Sequence, residues 1–269
     1  MKNLKLLSTD FDGTLVGHPS DGKCSRDFAD VLRDHAASGG LWAINTGRDL
    51  HHALEGVKLF AAPVEPDFLL TNERHVYRPL EAGGWEAHGS WNETCELRHN
   101  ELHEIGNQVF QEICAYVKSR GDANMIYEEH RPVGLVTVSE EVMQEVVERI
   151  ESICVVQPDI HYQRNAIYLR FCHREYDKGS ALAELCRLEG ILTEEVCSAG
   201  DHYNDISMLN TARAGMTACP SNAIPEVKEA VRNAGGYVAT RPYADGIADA
   251  VIYYKKTAPV SGRRSVSLS

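Results

Sequence analysis

The sequence contains 269 residues, of which 43% are hydrophobic and 25% are charged, and its formal net charge at pH 7 is -12. This length is sufficient for about two domains with well-filled cores. The negative charge argues against nucleic acid or an anionic membrane surface as a partner, because both select basic protein surfaces.

Neither the hydropathy nor the cysteine pattern indicates export or membrane insertion. No apolar run approaches the length of a transmembrane helix, and the first residues reach acidic positions too early for a signal peptide. The eight cysteines include no Cys-x-x-Cys pair and no His/Cys cluster with zinc spacing. We therefore expect a cytoplasmic protein whose cysteines are reduced and mostly buried.

The first predicted strand ends in two aspartates. Leu6–Thr9 is a short, largely apolar run, and it leads into Asp10-Phe11-Asp12 before a glycine turn. Residues two apart on an extended chain share a face, so Asp10 and Asp12 both point beyond the end of the strand. Two carboxylates this close disfavour each other's ionisation unless a cation or strong hydrogen-bond donors compensate. The rest of the chain is expected to supply such groups.

The next segments predict a parallel α/β sheet. A helix capped by Ser25 precedes an apolar strand over residues 41–44, which runs directly into Asn45-Thr46-Gly47-Arg48. A helix over residues 50–60 and a buried strand over Phe68–Thr71 follow. Alternating strands and helices are typical of parallel sheets, whose ligands bind beyond the carboxyl ends of the strands.

A different pattern, from about residue 76 to residue 174, predicts an inserted α+β unit. A helical pattern that ends at Lys118 is followed by two strands. A helix that starts after Ser139, with apolar residues on one side, is followed by two more strands. This repeated order of one helix and two strands differs from the parallel pattern on either side of it.

The parallel pattern resumes after the insertion. Asp177-Lys178-Gly179 opens a helix, and an apolar strand over residues 196–199 ends in Gly200-Asp201-His202-Tyr203-Asn204-Asp205. Ser221-Asn222-Ala223 then leads into a further helix, and a last helix is predicted over residues 246–254. Each of these polar clusters directly follows a strand or opens a helix.

These patterns set the expected domain boundaries. The core domain is predicted over residues 1–77 and 175–256, and the inserted domain over residues 78–174. Residues 257–269 are predicted to form a polar, flexible tail.

Four of the polar clusters resemble the four motifs of the haloacid-dehalogenase-like (HAD) phosphohydrolases. In order, they are Asp10-x-Asp12-Gly13-Thr14-Leu15, Thr46-Gly47-Arg48, Lys178-Gly179 and Gly200-Asp201-x-x-Asn204-Asp205. Any one of them occurs by chance in loops, but all four follow predicted strands or open helices and so converge in one crevice. The inserted unit is similar in position and order to the type IIB cap of sugar-phosphate phosphatases, sucrose-phosphate phosphatase and phosphomannomutase.

The resemblance implies a Rossmann-like parallel core, the HAD fold, with an inserted cap, and it implies covalent phosphoryl transfer. Asp10 would be the nucleophile that forms an aspartyl phosphate, which divides a slow hydrolysis into two easier steps. Asp12 would protonate the leaving alcohol and then deprotonate the attacking water. A dehalogenase has no need of that acid, so the presence of Asp12 favours phosphoryl transfer.

The resemblance also implies a Mg²⁺ cofactor, because several carboxylates around a phosphate dianion need a cation and hard oxygen ligands select Mg²⁺. Lys178 would orient the nucleophile and the phosphoryl oxygens, and the Thr46 hydroxyl would complete the phosphate site. The expected metal ligands are Asp10, Asp12 through its backbone carbonyl, Asp201, and Asp205 either directly or through a water molecule. The expected phosphate or substrate contacts are Thr46, Gly47, Arg48, Lys178, Asn204 and Asn222.

Some of these residues have a second interpretation. Arg48 is expected either to contact phosphate or to form a structural ion pair at a helix start. Asn222 is expected either to line the phosphate pocket or to cap the next helix, with the cap slightly favoured. The cap also contains candidate substrate contacts, although for each of them a solvated strand or loop residue is the favoured interpretation: Glu128, Glu129, His130, Arg131, Gln163, Arg164 and Arg170.

Three functions are compatible with these motifs. The favoured one is a Mg²⁺-dependent phosphatase for a small-molecule phosphate monoester, expected to be a sugar phosphate, acting as a monomer or homodimer. A sugar phosphomutase would use the same covalent chemistry with a sugar hydroxyl as acceptor. A binding or regulatory module that has lost turnover is disfavoured, because every motif position is filled.

Overall fold

The computed structural model describes residues 3–17 and 22–257, which form two β-sheets with helices packed against them. In the described ranges, none of the helices has the length and hydropathy needed to cross a bilayer. The strands and helices are, in chain order, β1 (Leu6–Thr9), α1 (Arg26–Ala37), β2 (Leu41–Asn45), α2 (Leu50–Phe60), β3 (Phe68–Thr71), β4 (His75–Pro79), β5 (Trp85–Ala87), α3 (Trp91–Ile105), α4 (Asn107–Ser119), β6 (Ala123–Glu128), β7 (Arg131–Thr137), α5 (Glu140–Cys154), β8 (Ile160–Asn165), β9 (Tyr168–His173), α6 (Lys178–Glu189), β10 (Val196–Ala199), β11 (Met216–Cys219), α7 (Pro225–Asn233), β12 (Tyr237–Val238) and α8 (Tyr243–Thr257).

The larger sheet has eight strands in the order β12-β11-β10-β1-β2-β3-β4-β5. Strands β12 to β3 are parallel, and β4 and β5 join antiparallel at one edge. Thr9, at the end of β1, pairs with Ile44 of β2 on one side and with Ala199 of β10 on the other. The loops that follow these three strands therefore leave the sheet at the same level.

Helices cover both faces of this sheet because successive side chains of the central strand point to opposite faces. Leu7 packs in a cluster with Phe28 of α1 and Val251 of α8. Leu6 packs in a second cluster with Leu182 of α6. All five residues are completely buried. The sheet thus lies between two helical layers, as a doubly wound parallel fold requires.

The smaller sheet has four antiparallel strands in the order β6-β7-β9-β8. Helices α4 and α5 supply Ile113, Val146 and Ile150 to a third apolar cluster, where they meet Leu135 of β7 and Leu169 of β9. The predicted α/β core with an inserted α+β unit is confirmed by this arrangement.

The predicted boundary between the two units needs a correction. Residue 77 falls inside β4, and the hairpin of β4 and β5 is hydrogen-bonded to β3 of the larger sheet. The larger sheet therefore continues to Ala87, ten residues past the predicted boundary. The sequence did not indicate this hairpin because β5 has three residues, none of them fully buried, and so shows no apolar run.

Helix boundaries also differ from the prediction. The pattern that ended at Lys118 contains two helices, α3 and α4, which meet at Gly106. A 3-10 turn over Tyr203–Met208 replaces the helix expected after the Asp201 loop. Thr257, which was assigned to the flexible tail, is the last residue of α8. Residues 258–269 of the predicted tail lie outside the described residues.

Candidate active site

A buried lysine connects the loops that follow β1 and β10. Lys178 is the first residue of α6, whose N-cap Asp177 accepts a hydrogen bond from the Ser180 N–H and fixes the start of the helix. Its Nζ donates to Asp10 Oδ1 at 2.6 Å and to Asp205 Oδ1 at 2.7 Å, and the residue has no exposed surface. The positive charge of Lys178 therefore lies between the carboxylates of Asp10 and Asp205 and offsets their negative charge.

The loop after β10 holds two further carboxylates in fixed positions. Asp205 Oδ2 accepts the backbone N–H groups of Asp201 and His202, at 2.8 and 2.9 Å. The Thr14 hydroxyl donates to Asp201 Oδ1 at 2.7 Å. A β-carbon on Gly13 would lie 2.3 Å from Asp201 Oδ2, and this glycine has a φ of +87°, so the close approach requires glycine.

The three buried carboxylates form a donor set that fits a hard divalent cation. One ligand oxygen from each of Asp10, Asp201 and Asp205 lies within 4.8 Å of the others. Burial raises the pKa of Asp10 well above its ordinary range, and burial together with the neighbouring Asp205 raises the pKa of Asp201 to about 7. Oxygen ligands that are this costly to ionise without a cation are suited to Mg²⁺.

Asp12 and Arg48 form a bidentate ion pair at the mouth of the site. Arg48 Nε and Nη2 donate to the two carboxylate oxygens of Asp12, both at 2.6 Å. The Arg48 guanidinium also lies over the Phe11 ring, 4.9 Å from its centroid. Two parallel hydrogen bonds fix the orientation of a carboxylate. Of the two roles expected for Arg48, the structure places it in an ion pair.

The end of β2 contributes a hydroxyl and a glycine. Thr46 is 1% exposed, and its Oγ1 accepts the Arg48 N–H at 3.2 Å. Gly47 follows it and lies beside the Glu73 carboxylate, whose Oε1 would be 3.3 Å from a β-carbon at position 47. Thr46 and Gly47 line the same cavity as Asp10 and Asp12, and their role as phosphate contacts stays a prediction.

Asn204 belongs to the same site through an unpredicted partner. Its Nδ2 donates to Glu73 Oε1 at 2.8 Å, while its Oδ1 is buried and has no hydrogen-bond partner in the described ranges. Glu73 follows β3, so a fourth loop at the carboxyl edge of the sheet contributes to the site. The sequence signal was a polar residue after a strand end, the same signal that identified the other loops.

A cavity of about 530 Å³ separates the two sheets above these residues. On the core side it is lined by Asp10, Asp12, Thr46, Gly47, Arg48, Glu73 and Asn204. On the other side its wall includes Gln163, Asn165, Tyr168 and Arg170 from β8 and β9. The inserted unit therefore covers the aspartates, which is the position expected of a cap.

Contacts between β8–β9 and the core fix this cap position. The Ala166 N–H donates to the His202 ring, 3.3 Å from Nε2. The Arg164 guanidinium lies 4.6 Å from the centroid of the Tyr203 ring. Both core residues adjoin Asp201, so the cap rests on the loop that carries the carboxylate donor set.

The match to known proteins decides the family. Residues 96–251, which are more than half of the chain, match the family model of the haloacid dehalogenase-like hydrolases. The chain belongs to this family. The matched range includes Lys178, Asp201 and Asp205, and the Asp10 and Thr46 loops lie before it. The resemblance inferred from the motifs is thereby confirmed.

Solved structures share the fold of this chain over nearly its full length. The sucrose-phosphatase of Synechocystis, solved with sucrose and phosphate, matches with a TM-score of 0.70 at 18% identity, over 94% of this chain and 98% of that one. The HAD subclass IIB sugar phosphatase BT4131 matches with a TM-score of 0.63 at 20% identity, over 93% and 99%. At these identities the likeness establishes the shared fold.

Curated relatives match over shorter stretches. The putative phosphatase YxeH of Bacillus subtilis is 41% identical over 63 residues, which are 23% of each chain. The phosphoglycolate phosphatase of Methanosarcina acetivorans is 26% identical over 106 residues, 39% of this chain and 44% of that one. The chain thus spans less than half the length of these two HAD relatives.

Asn222, a predicted phosphate contact, does not line the cavity and has other partners. Asn222 Nδ2 donates to the Gly13 carbonyl at 2.7 Å, and its Oδ1 accepts the Tyr243 N–H at 2.9 Å. Helix α7 has Ile224 at its N-cap, so Asn222 does not cap that helix either. The helix-cap interpretation of Asn222 is therefore wrong, and in the structure this residue ties the Asp12 loop to the start of α8.

The candidate cap residues divide into three groups. Gln163 and Arg170 line the cavity. Arg164 donates to Gln144 Oε1 at 2.7 Å and faces Tyr203 on the other side of the strand. The remaining candidates line neighbouring clefts of the cap: Glu128, Glu129, His130 and Arg131.

Proposed function

We propose that this protein is a Mg²⁺-dependent phosphatase that hydrolyses a small phosphorylated metabolite, with a sugar phosphate as the expected class of substrate. The observation that carries the proposal is the arrangement of Asp10, which accepts a hydrogen bond from buried Lys178 and opens onto a capped cavity beside Asp12. Membership of the HAD-like hydrolases supports the same reaction class.

Asp10 acts as the nucleophile. Its Oδ2 attacks phosphorus, the bond from phosphorus to the leaving oxygen breaks, and an aspartyl phosphate forms. Lys178 holds the other oxygen of Asp10 at 2.6 Å, which keeps the carboxylate oriented toward the cavity. The Thr46 hydroxyl and the backbone of Gly47 lie where they would receive phosphoryl oxygens.

Asp12 acts as general acid and base. In its protonated form it gives a proton to the departing alkoxide and becomes a carboxylate. In the second step this carboxylate takes a proton from the water that attacks the aspartyl phosphate; the bond between phosphorus and the Asp10 oxygen breaks, and inorganic phosphate leaves. The two hydrogen bonds from Arg48 keep this carboxylate at the cavity, where its side chain is 19% exposed. Arg48 is therefore a positioning residue for Asp12.

Mg²⁺ would be held by Asp10, Asp201 and Asp205, with the backbone carbonyl of Asp12 as a further ligand. When bound, it supplies positive charge that offsets the carboxylates and polarises the phosphoryl group. Thr14 orients Asp201, and the backbone N–H groups of the same loop orient Asp205. Such supporting hydrogen bonds hold ligands in place.

The cap supplies the leaving-group side of the cavity. Gln163 and Arg170 offer amide and guanidinium donors there, which suit hydroxyl-bearing substrates. The similar sucrose-phosphatase and the subclass IIB sugar phosphatase support a sugar phosphate, while the curated relatives include phosphoglycolate phosphatases. A cap that closes over the substrate would also exclude water from the reaction.

The test is phosphate release from a panel of sugar phosphates, phosphoglycolate and p-nitrophenyl phosphate, with and without Mg²⁺. The wild-type protein should release phosphate in the presence of Mg²⁺, and Asp10→Asn should not. Asp30→Asn, on the exposed face of α1, is the matched control and should retain full activity. No release with Mg²⁺, full activity in Asp10→Asn, or sugar isomerisation without net phosphate release would each contradict the proposal.

A further inference from the structure

We propose that Glu73 determines substrate specificity by accepting a hydrogen bond from a hydroxyl or ammonium group of the leaving group. The inference rests on the proposed phosphatase function and names the chemistry of its substrate. It is carried by the backbone conformation of Glu73, by its surroundings in the cavity and by its charge beside a phosphate site.

The backbone at Glu73 is one that glutamate rarely adopts. Asn72 and Glu73 have φ values of +51° and +63°, and the Arg74 N–H donates to the Thr71 carbonyl across them. Two consecutive positive φ values are the pattern of the tight turns that join antiparallel strands, where glycine is preferred. Strained residues of this kind persist where a side chain is needed at a particular place.

The strained turn places the carboxyl group in the cavity wall. Glu73 is 7% exposed and lines the cavity together with Asp10 and Asp12. In the described part of the chain, Asn204 alone hydrogen-bonds to this carboxyl group, and no cationic side chain forms an ion pair with it. A carboxylate has about four acceptor sites, so most of its capacity is left for a ligand.

The position of Glu73 decides which ligand groups it accepts. Its Oε1 lies beside Gly47, and Asn204 belongs to the loop that carries Asp201 and Asp205. A carboxylate at this place repels a phosphate dianion and any second anion on the leaving group. A hydroxyl or ammonium group close to the phosphorylated carbon would offset that repulsion by donating a hydrogen bond. The cavity should therefore prefer polyol, sugar and amino-alcohol phosphates over carboxylate-bearing ones.

Four small ligands test this preference without assuming the size of the natural substrate. Propyl phosphate has no donor on its chain, glycerol 3-phosphate has hydroxyls, phosphoethanolamine has an ammonium group and phosphoglycolate has a carboxylate. Dissociation constants of the four compounds are measured by calorimetry with Mg²⁺ in the Asp10→Asn protein. This variant lacks the nucleophile, so the compounds are not hydrolysed during the titration. The kcat/KM for phosphate release from the same compounds is measured with Asp10 present.

Two ratios of dissociation constants are expected to depend on the residue at position 73: propyl phosphate to glycerol 3-phosphate, and propyl phosphate to phosphoethanolamine. Glycerol 3-phosphate or phosphoethanolamine should bind at least about tenfold more tightly than propyl phosphate, since hydrogen bonds to charged groups are worth that factor or more. Glu73→Gln should bring both ratios to within about threefold of one and should strengthen phosphoglycolate binding. The larger of the two ratios identifies hydroxyl or ammonium as the preferred donor.

Two variants complete the design. Glu73→Gly tolerates the positive φ, so it replaces Glu73→Gln as the test variant if the latter fails to fold. Glu86→Gln removes a carboxylate from β5 outside the cavity wall and should leave every ratio unchanged. Ratios near one with Glu73 present, or ratios that survive its replacement, would overturn the assignment. Absence of phosphate release from all compounds by the wild-type protein would overturn the phosphatase proposal instead.

Discussion

At the scale of single residues, two aspartates of the same loop have different surroundings. Asp10 is 5% exposed, accepts a hydrogen bond from Lys178 and lies within the buried carboxylate cluster. Asp12 lies at the cavity, and Arg48 holds both of its oxygens. The two environments therefore fit the proposed division between Asp10 as nucleophile and metal ligand and Asp12 as the group that transfers protons.

This separation predicts different losses for two matched substitutions. Asp12→Asn removes the proton donor and should lower kcat by about 100-fold or more. It keeps the backbone carbonyl, so the Mg²⁺ concentration for half-maximal binding should stay within about threefold. Asp201→Asn removes a carboxylate from the donor set and should weaken Mg²⁺ binding by at least about tenfold. Steady-state kinetics measure kcat, and calorimetric titrations measure the affinity for Mg²⁺. Equal losses of Mg²⁺ affinity in the two variants would show that the roles of Asp12 and Asp201 are wrongly divided.

At the scale of elements, the turn between β3 and β4 combines a functional position with an unfavourable backbone. Thr71 pairs with His75, and the turn between them contains Asn72 and Glu73. A left-handed conformation costs a residue with a β-carbon about 1 to 2 kcal/mol relative to glycine. Residues that serve a site commonly carry such a cost in stability.

Comparison of two small residues at position 73 isolates that cost. Glu73→Gly should be about 1 kcal/mol more stable to urea unfolding than Glu73→Ala, because both lack the carboxylate and differ in tolerance of positive φ. Glu55 is an exposed helical position and provides a control of opposite sign, since Glu55→Gly should be about 1 kcal/mol less stable than Glu55→Ala. The same sign at both positions would show that the turn is not strained.

A second element contact links α3 to β9 through a buried histidine. The His173 N–H donates to His99 Nε2 at 3.1 Å, so Nε2 is unprotonated and Nδ1 carries the hydrogen that points at the Cys95 carbonyl, 2.8 Å away. Burial lowers the pKa of His99 from 6.5 to about 4, and the Arg74 cation adds to the effect. If Nε2 of His99 were protonated, its N–H would point at the backbone N–H of His173, and two hydrogen-bond donors would face each other.

Acid stability should therefore depend on His99. Above about pH 6.5 the imidazole is neutral in both states; below it the unfolded chain binds a proton that the folded protein excludes until about pH 4. Stability that is fully present at pH 7 is thus lost as the pH falls, by about 3 kcal/mol in total. Urea unfolding should show that the free energy of unfolding falls more between pH 7 and pH 4 in the wild type than in His99→Gln. An equal fall in the two proteins would contradict this role of His99.

At the scale of the whole molecule, the sequence was most informative where strands end. Asp10, Thr46 and Asp201 each follow an apolar run, and parallel pairing brings such ends to one edge regardless of the side chains around them. The same reasoning stopped at Thr71, two residues before Glu73. The short β5 strand also escaped prediction, since three half-exposed residues contain no periodic signal.

Side-chain partners could not be predicted in the same way. Arg48 and Asp12 are 36 positions apart, and Asn222 bonds to a carbonyl 209 positions away. Each has an alternative role of similar energy, as a phosphate contact for the arginine and a helix cap for the asparagine. Differences of about an ångström in the positions of the loops decide which partner each side chain reaches. The packing of the complete fold sets these positions.

The proposed metal site links residue chemistry to the stability of the complete chain. Its carboxylates come from residues 10, 201 and 205, so the donor set exists only in the folded protein. The molecule has a net charge of -12, and the buried cluster adds repulsion where burial has already raised the pKa of Asp10. A cation bound there should therefore stabilise the native state against unfolding.

Thermal unfolding measures this linkage. Mg²⁺ at about 100 times its Kd should add about 2.7 kcal/mol of stability, which corresponds to a rise in Tm of about 5 to 10 °C for a chain of this size. Sodium chloride at the same ionic strength is the control for general screening of the negative surface. Asp201→Asn should lose most of the rise, whereas Glu86→Gln should keep it. An equal rise with sodium chloride, or an unchanged rise in Asp201→Asn, would show that Mg²⁺ does not bind at the three aspartates.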